Sequence, residues 1–196
     1  MKIFALMCSH RKNKNTQYAL EYFLKGFGEE HDIHLKRLVD LNVKMCIACD
    51  YCSKDRGACV HKDDMAGLIR DMVASDLIVI ASPLYFNSVT SLFKLMIDRT
   101  QTLYNAKYVI KDSIFKDRKP VVLLCVAGAK HYKNQFKGID LETEHFIKNI
   151  NGKVIEYIQY NDTDRHPVIE NKEFAKLLIS KAGEIESMLE KGNWDE

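Results

Sequence analysis

Five apolar or alternating segments mark the strands that the sequence predicts. Residues 3–7, 77–81 and 121–126 are continuous apolar runs, which are typical of strands buried on both faces of a sheet. Residues 31–38 alternate polar and apolar side chains, as an edge strand does when only one of its faces packs on the core. Residues 154–160 complete the set as the last predicted strand.

Segments with helical spacing of apolar residues lie between these strands. They are residues 15–28, 65–73, 89–97, 146–150 and 174–189. Asp63 and Asp64 precede the second segment and are placed to cap and charge its start. The alternation of strand and helix predicts an α/β fold with a parallel sheet covered on both faces. Five strands and five helices match the doubly wound order 2-1-3-4-5, in a single domain that spans residues 1–196.

This topology predicts where a ligand binds. Right-handed crossovers place ligands outside the carboxyl ends of the first, third and fourth strands. The segments at those ends are residues 8–15, 82–88 and 127–135. Two stretches are longer than ordinary connections, the cysteine-rich loop at 39–62 and residues 100–118. Because long loops in a compact domain are usually functional or form interfaces, both stretches are candidates for chemistry.

Composition and charge exclude several classes of protein. The 196 residues are 46% hydrophobic and 29% charged, which is ordinary for a globular protein. The net charge of +2 is too balanced to predict a nucleic-acid or membrane surface. No apolar run approaches the roughly 20 residues that span a bilayer, and residues 1–7 are too short and too weakly charged for a signal peptide. We therefore expect a cytoplasmic protein that binds neither nucleic acid nor membrane.

The segment after the first strand is rich in hydrogen-bond donors and cations. Residues 8–16 include Arg11, Lys12 and Lys14, and no acidic residue follows before Glu21. Free N–H groups at a helix amino terminus bind anions, and nearby cations strengthen that binding. The fingerprints G-x-G-x-x-G and G-x-x-x-x-G-K-[ST] are both absent, which leaves a monophosphate such as that of FMN as the best candidate. The alternative is a solvated, well-capped helix start.

The segment after the third strand carries aromatic residues at a strand end. Residues 82–88 read Ser-Pro-Leu-Tyr-Phe-Asn-Ser, and Pro83 fixes the turn. Tyr85 and Phe86 offer stacking faces to a flat ring system, and the backbone amides offer hydrogen bonds to its polar edge. The alternative is a hydrophobic turn that packs on the next helix, where Lys94, Asp98 and Arg99 are most simply an internal ion pair.

Four of the six cysteines lie within fourteen positions, in the pattern C-x2-C-x2-C-x6-C. Three cysteines at three-residue steps resemble ferredoxin spacing, and the fourth can return to complete a [4Fe–4S] site. Zinc sites more often split into two separated pairs. A structural zinc, free thiols and a redox dithiol remain alternatives, whereas Cys8 and Cys125 are most simply small buried residues. The four candidate ligands are Cys46, Cys49, Cys52 and Cys59.

These motifs, in this order, resemble the flavodoxin-like NADPH-dependent FMN reductase family. The matching residues are Ser9, Arg11, Asn15-Thr16, residues 82–86, Lys94 and Asp98-Arg99. The cysteine cluster followed by Asp63-Asp64-Met65 is similar to the iron–sulfur flavoprotein branch of that family. The chain departs from the family pattern where Cys8, His10 and Lys14 stand in place of a common glycine, proline and glycine.

The resemblance implies a set of cofactor contacts. The phosphate side would be Ser9, Arg11, Asn13, Asn15 and Thr16. The ring side would be Pro83, Leu84, Tyr85 and Phe86, with Asn87 and Ser88 nearby, and Ala127 and Gly128 closing on the ring.

The resemblance also implies a function, an FMN-dependent oxidoreductase that accepts hydride from NADPH or NADH, or electrons from a protein donor. A [4Fe–4S] cluster at the four cysteines would be the one-electron exit. The family resemblance suggests a homodimer or homotetramer, with small-molecule or protein electron donors and acceptors as partners. The alternatives are a flavodoxin-like electron carrier without catalytic activity, and a zinc-stabilised binding module without flavin. Hydride transfer to a flavin demands no acid–base residue, so none is predicted.

Overall fold

A computed structural model describes residues 1–55 and 57–195. Its centre is a parallel five-stranded sheet in the order β2-β1-β3-β4-β5, which confirms the predicted topology. The strands are β1 (Lys2–Met7), β2 (Asp32–Arg37), β3 (Leu77–Pro83), β4 (Lys119–Val126) and β5 (Gly152–Tyr160).

Helices cover both faces of this sheet. The α-helices are α1 (Asn15–Leu24), α2 (Tyr51–Lys54), α3 (Met65–Ala74), α4 (Ser91–Arg99), α5 (Gln101–Tyr104), α6 (Lys137–Asn149) and α7 (Lys172–Glu190). A π-helical turn, Asn105–Val109, follows α5, and 3₁₀ turns lie at Leu38–Asp40 and Val168–Glu170. Within the residues described, no helix is both long and apolar enough to cross a membrane.

Alternate side chains of the central strands build two separate cores. In β1, Phe4, Leu6 and the adjoining Cys8 face a core formed with α3, α4 and α6. Ile3 and Met7 face the opposite core, formed with α1 and α7. Both faces of β1 are buried, which explains why its sequence is a continuous apolar run. β2 is the predicted edge strand, but none of its residues is buried, so the packed face that the alternating pattern predicts is not found.

The helix bounds differ from the prediction at several places. The first helix ends at Leu24 and not at residue 28, and α6 begins at Lys137, well before the predicted 146–150. The prediction of five helices misses α2 and α5, because a four-residue helix is too short to show a helical period. The stretch 100–118 was predicted as a loop, yet it contains α5 and the π-helical turn.

Hydrogen bonds hold the three predicted ligand-binding segments at one edge of the sheet. The Cys8 N–H donates to the Ala81 carbonyl at 2.8 Å, and the Leu84 N–H donates to the Val126 carbonyl at 2.8 Å. The Thr90 hydroxyl donates to the Cys8 carbonyl at 2.7 Å and accepts from the Phe93 N–H at 3.2 Å. Thr90 thus caps α4 and fastens it to the end of β1, where the first of these segments begins.

Candidate functional site

A cavity of about 540 Å³ opens at the carboxyl edge of the sheet. Its size falls within the range of small-molecule and cofactor sites. Its wall is formed by residues at, or just beyond, the carboxyl ends of the first, third and fourth strands, as the topology predicts. The predicted residues that line it are Ser9, Arg11, Asn13, Asn15, Thr16, Pro83, Leu84, Tyr85 and Gly128.

One side of the cavity is the amino terminus of α1. The first turn of α1 contains no acidic side chain, and no side-chain cap occupies its N–H groups. Asn13 has a left-handed backbone, with φ 52°, which an asparagine tolerates better than most residues. Ser9 is buried, and its hydroxyl accepts a hydrogen bond from the Arg11 N–H at 3.1 Å, which shapes the turn. This end of the cavity is built to hold an anion.

The three cations of this segment have different surroundings. Arg11 and Lys14 line the cavity, and neither forms an ion pair within residues 1–55 and 57–195. Lys12 points away and pairs with Asp40 at 3.3 Å. The cavity therefore has two cations available for a charged ligand, and the third is engaged elsewhere.

The two polar residues at the start of α1 have different hydrogen-bond partners. The Asn15 side chain lines the cavity, but its Oδ1 accepts a hydrogen bond from the Val168 N–H at 3.0 Å. Thr16 is buried at the cavity wall, and its side chain makes no hydrogen bond with another described residue. Asn15 therefore ties two walls together, whereas the Thr16 hydroxyl is available to a ligand.

The segment after β3 divides into a wall and a turn. Pro83, Leu84 and Tyr85 line the cavity. The next residues form a tight hairpin, because Tyr85 and Ser88 exchange backbone hydrogen bonds at 3.0 and 2.9 Å. The structure does not bring the predicted Phe86, Asn87 and Ser88 to the cavity wall.

Phe86 is the exposed tip of this hairpin. Phe86 and Asn87 both have positive φ, 49° and 62°, as the central residues of a type I′ turn require. The Phe86 ring is fully exposed, with a relative accessibility of 103%, and so is not placed to stack on a ligand in the cavity. The Asn87 side chain instead accepts a hydrogen bond from the Tyr132 hydroxyl at 2.6 Å.

Replacement of Phe86 by asparagine is expected to raise the free energy of unfolding by about 0.5–1 kcal/mol, because a left-handed backbone costs a bulky residue more than asparagine. The ring buries nothing in this chain whose loss would offset that gain. Urea titration of the cofactor-free chain measures the change. The variant Tyr132→Phe, which removes the bond to Asn87 and leaves the tip intact, controls for the general stability of the turn. A less stable Phe86→Asn variant would contradict the expectation.

A further wall of the cavity is formed by residues after β5, which the sequence did not predict as site residues. Thr163, Asp164, Pro167 and Ile169 line the cavity after β5. The topology could have predicted this wall, because parallel strands all end at the same edge of the sheet and this segment follows the last strand. The aspartate lies close to the segment after β4, because a Cβ atom at Gly128 would be 2.7 Å from its Oδ2. The predicted Ala127 is buried and does not line the cavity.

The four clustered cysteines line one pocket in the loop 39–62. Ala48 and Asp50 both have left-handed backbones, with φ 51° and 55°, on either side of Cys49. Non-glycine residues in this conformation are strained, and such strain collects at ligand clamps. Gly57, with φ 73°, returns the chain so closely that an added Cβ would lie 2.6 Å from the Thr102 carbonyl oxygen. The loop therefore has a specific shape, and its four cysteines share one pocket.

Two of the four thiols receive hydrogen bonds from residues at the end of α4 and the start of the π-helical turn. The Asn105 amide Nδ2 donates to Cys52 Sγ at 3.0 Å, and Arg99 Nη2 donates to Cys59 Sγ at 3.3 Å. Burial raises the pKa of the Cys52 thiol, and the Asn105 hydrogen bond acts in the opposite direction. Cys46 and Cys49 are exposed and accept no such bond from the residues described.

Arg99 and Asp63 form a buried ion pair behind the cysteines. Their side chains are only 2% and 1% exposed, and Arg99 reaches both carboxylate oxygens, at 2.6 and 3.1 Å. Arg99 also donates to the Lys44 carbonyl at 2.7 Å. Burial would raise the pKa of Asp63, but hydrogen bonds from Arg99 and from the Lys44 and Met65 N–H groups outweigh it and lower that pKa to about 2. The pair fastens the cysteine loop to the end of α4.

The predicted roles of these charged residues were only partly right. The Asp63 carboxylate does accept the Met65 N–H at 3.2 Å, but its main partner is Arg99. The Asp64 side chain makes no cap and accepts the Asn42 N–H at 2.8 Å. Lys94 and Asp98 form the expected pair, at 2.7 Å, on the exposed face of α4 and without Arg99.

The spacing of the thiols bears on which metal group they fit. In the described part of the chain, three metal-ligand atoms lie within 4.8 Å of one another at Glu30, His31 and Glu186, and no three thiols do so. A single zinc at about 2.3 Å from each sulfur needs thiolates roughly 4 Å apart. A [4Fe–4S] cluster is larger than a single ion and is held by four thiolates, which is the number that this pocket offers. The donor set therefore fits a cluster.

Fold and site together define a class of protein. A parallel sheet in this order, with an anion-binding helix terminus and an aromatic wall at its carboxyl edge, is the architecture of flavodoxin-like flavin-binding proteins. The model of the NADPH-dependent FMN reductase family matches residues 1–168. The chain belongs to this family, as its motifs predicted.

Several individual proteins that the chain resembles are named iron-sulfur flavoproteins. The chain is 37% identical over 119 residues to an iron-sulfur flavoprotein of Archaeoglobus fulgidus, covering 59% of this chain and 56% of that protein. It is 30% identical over 117 residues to an iron-sulfur flavoprotein of Methanosarcina thermophila, covering 58% and 60%. The chain therefore spans little more than half the length of these curated relatives.

Solved structures confirm the flavodoxin-like fold. A flavone reductase superposes with a TM-score of 0.70 at 14% identity, covering 97% of this chain and 63% of that one. An NAD(P)H:quinone oxidoreductase from Methanothermobacter marburgensis gives 0.68 at 16% identity, covering 97% of both chains. An FMN-dependent NADH-azoreductase from Bacillus anthracis in complex with FMN gives 0.62 at 14%, covering 96% and 98%. At these identities the likeness establishes the fold alone.

Proposed function

We propose that this chain binds FMN in the cavity at the carboxyl edge and is an oxidoreductase that takes electrons from NADPH or NADH. The observation that carries the proposal is the division of the cavity into an anion-binding end and an apolar, aromatic wall. FMN has the same division, with a phosphate at one end and a flat ring system at the other. Membership of the FMN reductase family supports the same cofactor.

The residues of the cavity have distinct parts in this proposal. Ser9, Arg11, Asn13, Asn15 and Thr16 hold the phosphate, together with the N–H groups of α1. Pro83, Leu84 and Tyr85 form one wall for the ring, and Gly128 permits close approach from the other side. Phe86, Asn87 and Ser88 lie beyond the wall and face the donor or acceptor.

We further propose that Cys46, Cys49, Cys52 and Cys59 hold a [4Fe–4S] cluster. Their common pocket, the strained turns around Cys49 and the hydrogen bonds to two of the sulfurs support this. The curated relatives are named iron-sulfur flavoproteins, which is in keeping with it. A bound flavin supplies two-electron hydride chemistry, and a cluster supplies one-electron transfer. The chain's own part is to position both groups and to set their potentials.

The surface around the cysteines supports an oligomer, which we propose is a homodimer or homotetramer in the cytoplasm. Exposed apolar side chains surround the thiols, with Met45 at 70% and Ile47 at 57% accessibility. Tyr104, Tyr108 and Val109 continue this surface on the neighbouring segment. Large exposed apolar patches mark protein interfaces. A partner there would bring the cluster of one copy close to the flavin of another.

The experiment begins with anaerobic FMN titration of the cofactor-free chain, followed by mixing with NADPH or NADH. Binding is expected to quench the fluorescence of the added flavin and to shift its absorbance band near 450 nm, and reduction by the nucleotide is expected to bleach that band. Binding without bleaching by either nucleotide would favour the electron carrier instead of the reductase. A chain that takes up no FMN but holds stoichiometric zinc would overturn the proposal in favour of a zinc-stabilised binding module.

Arg11 and Lys12 provide a matched pair of variants for the phosphate end. Arg11→Gln is expected to weaken FMN binding about 10- to 100-fold, because a hydrogen bond to a charged group contributes about 1.5–3 kcal/mol. Lys12→Gln should change it less than threefold, since Lys12 is paired with Asp40 outside the cavity. Riboflavin, which lacks the phosphate, should bind both variants as it binds the unmodified chain. An equal loss for FMN and riboflavin in Arg11→Gln would place the phosphate elsewhere.

A further inference from the structure

The four thiols have unequal surroundings. Cys52 and Cys59 each accept an N–H hydrogen bond from residues 99–105, whereas Cys46 and Cys49 are exposed and accept none from the described residues. Hydrogen bonds to the sulfurs and solvent exposure are two of the factors that set the potential of an iron–sulfur cluster. The segment that makes these bonds is therefore a place where the chain can set that potential.

The geometry around Asn105 fixes its amide toward the sulfur. Asn105 is buried, and Gln101 Nε2 donates to its Oδ1 at 3.4 Å. The carbonyl side of the amide is thus occupied, which leaves its N–H₂ group for Cys52 Sγ at 3.0 Å. Asn105 is also the first residue of the π-helical turn, and π-turns are rare and frequently found at functional sites.

Arg99 and Asn105 contribute in different ways. The Arg99 charge is shared with Asp63 and the Lys44 carbonyl, so its replacement would disturb the loop as well as the sulfur. Asn105 is neutral and has no ion pair to lose. Its effect on the sulfur can therefore be changed with little effect on the anchoring of the loop.

We propose that Asn105, oriented by Gln101, is a positioning residue that raises the reduction potential of the cluster through its hydrogen bond to the Cys52 thiolate. One-electron reduction adds one negative charge to the cluster and its thiolates. An N–H donor stabilises the more negative form more strongly, so it favours reduction. This inference rests on the proposed cluster, and not on the proposed nicotinamide donor.

The test uses the chain reconstituted anaerobically with FMN, iron and sulfide. Its cluster is titrated with dithionite and followed by electron paramagnetic resonance. Asn105→Leu keeps the approximate shape and removes the donor. It is expected to lower the equilibrium constant for one-electron reduction about tenfold, which corresponds to about 59 mV. Gln101→Leu should shift it in the same direction by a smaller factor. Because Gln101 is exposed, that variant tests the inference even if Asn105→Leu fails to fold.

Thr102 provides the matched control. It lines the cysteine pocket and its hydroxyl donates to the Arg99 carbonyl at 3.3 Å, and among the described residues it makes no hydrogen bond to a thiol. Thr102→Val should leave the cluster potential unchanged, and the flavin potential should stay constant in all the variants. The inference would be overturned, and the proposed function left intact, if the equilibrium constant for reduction of the cluster changed less than twofold in both Asn105→Leu and Gln101→Leu. An equal change in Thr102→Val would overturn it as well. Failure of the unmodified chain to bind iron and sulfide would overturn the proposed cluster as well.

Discussion

Replacement of Asp63 by asparagine is expected to lower the free energy of unfolding by about 3–5 kcal/mol, the cost of removing one partner of a buried ion pair. The amide keeps one oxygen for the Met65 N–H, but the Arg99 guanidinium is left without its counter-charge. Because Arg99 also holds the Lys44 carbonyl and Cys59, the cysteine loop should loosen first. Urea titration of the cofactor-free chain at pH 7 measures the loss.

Asp98 is the control for this variant. It pairs with Lys94 at 2.7 Å, but both side chains are nearly half exposed, so Asp98→Asn should cost about 0.2–1 kcal/mol. Equal losses in Asp63→Asn and Asp98→Asn would show that the buried pair contributes no more than a surface one.

The same carboxylate gives stability a defined dependence on acid. The pKa of Asp63 is about 2 in the folded chain and about 3.9 in an unfolded one, so protons bind preferentially to the unfolded state. Its contribution is present above about pH 4 and is lost as the pH falls toward 2. Between about pH 4 and pH 2, the free energy of unfolding should therefore fall less in Asp63→Asn than in the unmodified chain.

Thr90→Val is expected to lower the free energy of unfolding by about 2–3 kcal/mol. The hydroxyl of Thr90 is wholly buried, accepts the Phe93 N–H as a helix cap and donates to the Cys8 carbonyl. Loss of a cap costs about 0.5–2 kcal/mol, and a buried carbonyl left without its donor adds about 1–3 kcal/mol. Thermal unfolding of the cofactor-free chain, followed by circular dichroism, measures the effect.

Thr90→Ser separates the hydroxyl from the methyl group. Serine keeps both hydrogen bonds, and the variant should lose about 1 kcal/mol or less through the missing methyl group. Because Cys8 begins the anion-binding segment, Thr90→Val should also weaken FMN binding, and Thr90→Ser should not. If both variants lose the same stability, the cost lies in packing and not in the two bonds.

The sheet could be predicted from the sequence because each strand carries a periodic signal. The apolar run at 121–126 can be satisfied only where both faces are covered, which fixes β4 as a central strand. The helix at 137–149 was harder to predict, because Asp140, Glu142 and Glu144 leave few apolar positions around Ile139. The bounds of a largely polar helix depend on the tertiary contacts of its few buried residues. A short window of sequence holds no information about those contacts.

The site was predicted to the extent that topology determines it. Parallel strands end at one edge, so the segments beginning at Cys8 and Ser82 were correctly brought together around a cavity. Long-range side-chain pairing was not predictable from local patterns. Asp63 and Arg99 are 36 positions apart in the sequence. Local patterns predicted that Asp63 caps the next helix and that Arg99 pairs within its own helix. The main partner of each is instead the other.

The donors to the cysteine sulfurs also have a consequence for the order of assembly. Cys59 and Arg99 are 40 positions apart, and Cys52 and Asn105 are 53 apart, with β3 between each pair. Contacts of such separation form only after the intervening chain has collapsed, because the entropy of closing the loop must be met first. The two cores lie in the sheet and its helices and contain none of the four clustered cysteines. Iron for the proposed cluster would therefore reach a scaffold whose two cores are already folded.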